Sequence, residues 1–174
     1  MNPTAKSTEA LILIDIQNDY FPGGRFPLRG MKRAAKRAAA LADDFRSRGI
    51  PVIHVRHISL KEGAFFFLPD TFGSEIQALV TPAAGETVFI KHFPNSFRET
   101  GLGAHLDELG ATTLHLAGAM TNMCIDTTAR AGFDLGYKMI IHAKACAAPA
   151  LLGTGLIHGL FLRNLSGTFA EVRK

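Results

Sequence analysis

The chain has 174 residues, of which 47 % are hydrophobic and 20 % charged, and a formal net charge of +4. This is about one domain's worth of chain, leaving little room for a second, with enough apolar material for a core, which argues against an intrinsically disordered chain. The surplus of 19 Lys and Arg over 15 Asp and Glu is small and scattered, unlike the concentrated patch of a nucleic-acid binder.

Cys124 and Cys146 form no Cys-x-x-Cys pair and supply neither a disulfide framework nor a thiolate zinc site, so a reducing cytoplasm is the expected compartment. The apolar run 10–14 is short and ends in Asp15, and no stretch approaches the roughly 20 apolar residues of a membrane span. The expectation is one domain over residues 1–174, with neither a nucleic acid nor a membrane as partner.

Residues 10–15 read as a strand buried on both faces, tipped by Asp15. After a turn-rich loop, Ala34, Ala38, Leu41 and Phe45 recur at helical spacing, which predicts an amphipathic helix over 31–48 stopped by Gly49. The paired charges Lys32-Arg33 and Lys36-Arg37 read as its solvated face. Residues 51–56 and 87–91 read as the second and third strands, the latter ending on Lys91. Between them lies a long segment with Phe65-Phe66-Phe67, which can be a lid, an interface patch or core, and a short helix around 74–80. A loop of that size in a small domain is usually functional. A helix over 99–109, a strand over 112–117, a helix over 122–135 and a strand over 137–142 follow. Strands alternating with helices predict a three-layer α/β/α domain with a mainly parallel sheet, whose ligands bind beyond the carboxyl ends of the strands.

Asp15, Lys91 and Cys124 fall at or just beyond three such ends, so one mouth of the sheet collects them. A thiol in the first turn of a helix sees unpaired N–H groups and the positive end of the helix dipole, and a neighbouring lysine pushes the same way, so a thiolate is expected at Cys124. Asp15 could take the thiol proton and later give it to a leaving amine.

The ordered segments Leu13-Ile-Asp-Ile-Gln-Asn-Asp-Tyr-Phe21, Pro51-Val-Ile-His-Val-Arg-His57, Phe72-Gly-Ser-Glu-Ile76, Lys91-His-Phe-Pro-Asn-Ser-Phe97 and Leu116-Ala-Gly-Ala-Met-Thr-Asn-Met-Cys124 run through most of the chain. Together they resemble the isochorismatase-like cysteine hydrolases, which include nicotinamidases and N-carbamoylsarcosine amidohydrolases. The resemblance implies the family's Rossmann-like hydrolase fold and a Cys-Asp-Lys triad of Cys124, Asp15 and Lys91. It also implies a cis peptide at Ala119–Met120, an oxyanion hole from the N–H groups of Met120 and Cys124, and homodimers or larger homo-oligomers. Gln17, Phe21, His57, Phe97 and Thr121 are the residues expected to shape the pocket for a small-molecule substrate. Cleavage of an amide, carbamoyl or ureido compound through a thioester is the activity implied.

Nicotinamidases of this family bind a metal through an Asp-x-His motif, but the matching stretch here, His54-Val-Arg-His57, lacks the Asp and carries Arg56. No metal and no cofactor are therefore expected, and His54 and His115, inside apolar strands, read as core histidines. The alternatives are a vinyl-ether hydrolase of the isochorismatase type, which would not need Cys124, and a non-catalytic binding or thiol-sensing protein. The segment between Cys146 and His158 is short and Gly-rich where relatives have a longer acidic loop, and Cys146 itself is given no role.

Overall fold

The computed structural model describes residues 8–151 and 153–174; residues 1–7 of the expected 1–174 domain, and Leu152, lie outside the described residues. Six strands form one sheet in the order β3-β2-β1-β4-β5-β6, every neighbouring pair parallel. They are β1 (Glu9–Ile14), β2 (Val52–His57), β3 (Thr87–Lys91), β4 (Thr113–Ala119), β5 (Lys138–Ala147) and β6 (Glu171–Arg173). The helices are α1 (Met31–Ser47), α2 (Leu102–Leu109), α3 (Asp126–Asp134) and α4 (Leu156–Leu165).

Side-chain alternation along β1 divides the core. Ala10, Ile12 and Ile14 join one apolar cluster with Leu102 and Leu106 of α2, Ala129 of α3 and Leu162 of α4. Leu11 and Leu13 join the other, against the α1 face of Met31, Ala34, Ala35, Ala38, Ala42 and Phe45. The expected three layers are thus present. Leu41 is only half-buried and Ala42 takes its place, which lets α1 lie close to the sheet through a row of small side chains.

Several boundaries differ from the sequence reading for identifiable reasons. Glu99 has a left-handed φ of 55°, so α2 starts three residues later than expected. The expected helix at 74–80 is two single 3-10 turns, Phe72–Ser74 and Ala78–Val80. The expected helix over 122–135 opens as a wide π-type turn, Thr121–Ile125, closed by Ile125 N–H donating to Met120 O. Strand β5 extends five residues past the expected end and contains Cys146, while α4 and β6 had no counterpart in the reading. Their periodicity is weak, and they are held by pairing with β5 and packing on α3.

In this strand order the chain reverses direction across the sheet between β1 and β4, so the crevice beyond their carboxyl ends is the place where loops diverge and a ligand can enter. Gly118 makes that crevice possible. It pairs with Ile14 across the two strands at a φ of 131°, and a Cβ there would lie 1.9 Å from Ile14 O.

Candidate active site

Asp15 follows β1 directly, with a left-handed φ of 53° that turns it into the crevice. Lys91 ends β3, and its register partner on β2 is His57, so the two side chains leave the sheet side by side. Beyond β4 the Ala119–Met120 peptide is cis, and the π-type turn that follows carries Cys124. Asp15 and Lys91 are completely buried and form an ion pair, Lys91 Nζ to Asp15 Oδ2, at 2.8 Å. The ammonium also lies 3.4 Å from His57 Nδ1, 3.2 Å from Phe93 O and 3.3 Å from Pro94 O. Apart from the Lys91 ammonium and the Cys124 thiol, neither oxygen of Asp15 has a partner among the described residues.

The electrostatics follow from this burial. Burial pushes Lys91 down, but the charge of Asp15 and the neighbouring Cys124 outweigh it and hold the lysine above its ordinary value. Burial pushes the Cys124 thiol up, and the Asp15 carboxylate adds to the rise against the pull of Lys91, to about 12. This corrects the expected thiolate: at neutral pH the free site holds a thiol beside an Asp15–Lys91 ion pair. The helix-terminus argument neglected that a carboxylate stands as close to the sulfur as the ammonium and that water is excluded. Burial, with Lys91 and His92 adding to it and Asp15 opposing, likewise brings His57 down to about 4, so its ring is neutral and its Nδ1 can accept from Lys91.

A cavity of about 520 Å³ opens onto these groups. Asp15, His57 and Cys124 stand in its wall, with Met120 and Met123 from the turn that carries Cys124 and His92 beyond β3. The aromatic side is built by Tyr20 and the Phe65-Phe66-Phe67 run. Phe67 is buried against Tyr20 at 4.6 Å between ring centroids, Phe66 stacks on Phe26 at 5.1 Å, and Phe65 is the exposed member. Asp19 fixes this run: its carboxylate accepts from Phe67 N–H at 2.6 Å and from Arg25 N–H at 3.0 Å. The three phenylalanines are therefore graded from core to rim, and the long loop that carries them supplies much of the cavity wall.

Of the residues expected to shape the pocket, His57 lines the cavity and four stand behind it. Gln17 is consumed as a clamp, its amide nitrogen donating to His57 O and Ser74 O and its oxygen accepting from His57 N–H. Phe21 packs in the α1-side core. Phe97 stacks on Tyr137 against the opposite core. Thr121 is buried, its hydroxyl donating to Ala147 O and meeting His158 Nδ1 at 2.8 Å. Which side of a loop a residue faces depends on the tertiary path, and that path sets these four behind the cavity wall. Tyr20, Met123, His92 and Ser59 line the cavity and were missed; for Tyr20 the available signal was its place in the loop directly after the Asp15 strand end.

His54 and His115 are core histidines as expected. His54 Nε2 meets Glu86, which Arg46 also holds, and His115 pairs with His142 at 2.9 Å under Phe45. Arg56 is pinned to Ser74 by two hydrogen bonds. Asp15, His57 and Cys124 could each offer one ligand atom to a metal, all within 4.8 Å of one another. The ammonium of Lys91, bonded to the same carboxylate, already supplies positive charge at that point and opposes a divalent cation there. Among the described residues no helix is long and apolar enough to cross a membrane.

The isochorismatase domain family model matches residues 9–173. The isochorismatase family protein YddQ of Bacillus subtilis (strain 168) is 42 % identical over 172 residues, covering 95 % of this chain and 96 % of that protein. A crystal structure of an isochorismatase hydrolase assignment from Oleispira antarctica superposes with a TM-score of 0.91 at 42 % identity, covering 99 % of this chain and 96 % of that one. The ureidoacrylate amidohydrolase RutB of Methylobacterium radiotolerans is 29 % identical over 199 residues, covering 95 % of this chain and 76 % of that protein. With the sheet order, the strand-end residues and these matches in agreement, the chain belongs to the isochorismatase family of hydrolases.

Proposed function

We propose that the protein is a cysteine-dependent amidohydrolase that cleaves a small amide, carbamoyl or ureido compound. The observation that carries this reading is the buried Asp15–Lys91 ion pair at 2.8 Å in contact with the Cys124 thiol, at the floor of a cavity large enough for a small molecule. A thiol that is neutral at rest needs a base within reach, and Asp15 is that base.

The reaction runs in two halves. Asp15 takes the proton of Cys124 as the sulfur bonds to the carbonyl carbon, and the carbonyl π pair moves onto oxygen. The N–H groups of Met120 and Cys124 hold that oxyanion. As the tetrahedral adduct collapses, the C–N bond breaks and Asp15 returns the proton to the departing nitrogen, leaving a thioester on Cys124. Asp15 then deprotonates a water that attacks the thioester, and the acid leaves as the thiol reforms. Lys91 stays charged throughout, compensating Asp15 while it is ionised and the sulfur while it carries negative charge. A sensing role for Cys124 is disfavoured, because redox-sensing cysteines are exposed, low-pKa thiolates and this one is buried with its pKa raised.

Ammonia release from a panel of small amides, carbamates and ureido acids tests the reading, with Cys124→Ala as the comparison. Turnover by the wild type that disappears in the variant is the expected result. A Cys124→Ala variant that releases ammonia as well as the wild type, or a folded wild type that releases none from any member, overturns it.

A further inference from the structure

A second and larger cavity, about 720 Å³, lies away from the catalytic residues, between the start of α1, the end of β5 and α4. Its floor is made of small side chains: Ala34 from α1, and Ala143, Cys146, Ala147 and Ala148 from β5 and the residues after it. Its walls are basic. Arg29, Arg33 and Arg37 rise on one side at four-residue intervals, and Lys144 faces them from β5 with Lys174 at the rim.

No aspartate or glutamate side chain lines this cavity, and among the described residues none of these five cations has a carboxylate partner. Arg46, Arg48, Arg130 and Arg173 elsewhere on the surface each hold one, whereas the groove gathers three arginines and two lysines with none. Like charges gathered around one recess repel each other, and an anion in the recess relieves that repulsion.

The helix makes the selection plain. Lys32-Arg33 and Lys36-Arg37 look equivalent in the sequence, but only Arg33 and Arg37 line the cavity. The planar guanidinium groups of Arg33 and Arg37 can each present two parallel N–H donors to one oxyanion group, and at one turn apart on α1, a rise of about 6 Å, they suit the two ends of a short phosphate chain; Arg29, which precedes α1, is steadied by donating to Gly153 O.

We propose that this groove is a binding site for a small molecule bearing two or three linked phosphate groups. The site backs onto the nucleophile turn. His158 and Ala147 line the groove, and both are hydrogen-bonded to Thr121, the first residue of the turn that carries Cys124. The groove and the catalytic cavity therefore lie against the same turn, but the proposal does not depend on what the catalytic cavity cleaves.

Inorganic tripolyphosphate is the probe, titrated by calorimetry and by thermal shift at constant ionic strength against the purified full chain. The expected result is saturable binding to the wild type, weakened at least tenfold in Arg33→Glu/Arg37→Glu and in the milder Arg33→Gln/Arg37→Gln. Lys32→Glu/Lys36→Glu, the same charge change on the same helix outside the groove, should stay within about threefold of wild type. The ligand-free melting transition in the thermal-shift traces reports that the variants are folded.

Absence of binding to the wild type overturns the proposal, as does an equal loss in the lysine variant, which would mean diffuse charge. Citrate binding as tightly as tripolyphosphate overturns the phosphate assignment. A wild-type oligomer that fails to bind tripolyphosphate and dissociates in the arginine variants would make the groove an interface between copies, also overturning it.

Discussion

If Asp15 holds Cys124 in its thiol form, then removing the carboxylate's charge while keeping its shape makes the cysteine more reactive even as turnover is lost. The donor atoms of Asp15 and Cys124 lie within 4.8 Å of each other. A unit charge at that separation contributes about 3.5 kcal/mol at an effective dielectric of about 20, equivalent to about 2.5 pKa units. In Asp15→Asn the carboxylate charge is gone and the Lys91 ammonium remains, so the thiolate fraction of Cys124 at pH 8 rises by about 300-fold. A less basic thiolate is also a weaker nucleophile, with a Brønsted slope of about 0.4–0.5, which takes back roughly tenfold and leaves a net gain on the order of twentyfold.

The assay is the second-order rate of iodoacetamide labelling at pH 8, read by mass on the peptide containing Cys124. Cys146, pushed up to about 12 by burial, is the internal control. Over the same change, ammonia release should fall by about 10² to 10⁴, because the base and acid of both half-reactions are lost. Labelling of Cys124 in Asp15→Asn that is no faster than in the wild type, with the fold intact, refutes the electrostatic account of the site.

Two further outcomes test the frame around it. Gly118→Ala should lower Tm by about 10 °C or prevent folding, a cost of roughly 3 kcal/mol or more, because the new methyl would overlap Ile14 O; Gly136→Ala, strained at a φ of 92° but with open space around it, should cost only about 1 kcal/mol. A Tm for Gly118→Ala no lower than that for Gly136→Ala contradicts the close approach of β1 and β4. Tm should also fall steadily from pH 7 to pH 4. His57 and His142, brought down to about 4 by burial, stay neutral in the fold while the unfolded chain takes up protons from about 6.5 downward, so stability rises with pH across that window. Glu86, raised by burial but brought to about 2 chiefly by Arg46, extends the loss below 4.5. A Tm that is flat between pH 6.5 and 4 would show that these histidines are not held neutral.

Much of the fold was legible in the sequence because parallel strands buried on both faces are continuous apolar runs, as β1 and β4 are, while β2 and the edge strand β3, half exposed, are short apolar runs ending on charged or polar tips. Asp15, Lys91 and Cys124 were legible for the same reason, since a polar residue at the end of a buried strand has few places to go except the mouth of the sheet. The end of the chain was not. The helix α4 and the three-residue β6 carry little pattern of their own and are stabilised by contacts with β5 and α3.

The sequence by itself determined the strand–helix alternation and the strand-end residues, which rest on local pattern or spacing, and its ordered motifs carried the family resemblance. Only the tertiary structure decided the charge states and the facing of loops. Closing water out of the crevice puts Asp15 and Lys91 together at zero exposure and turns the expected thiolate into a thiol. The path of the loops uses up the polar atoms of Gln17 and sends Phe97 and Thr121 away from the cavity, while bringing Tyr20 and His92 to it. The same distinction separates Arg33 and Arg37 from Lys32 and Lys36. Burial and the approach of residues far apart in the chain set these properties, and neither is written in the spacing of neighbours.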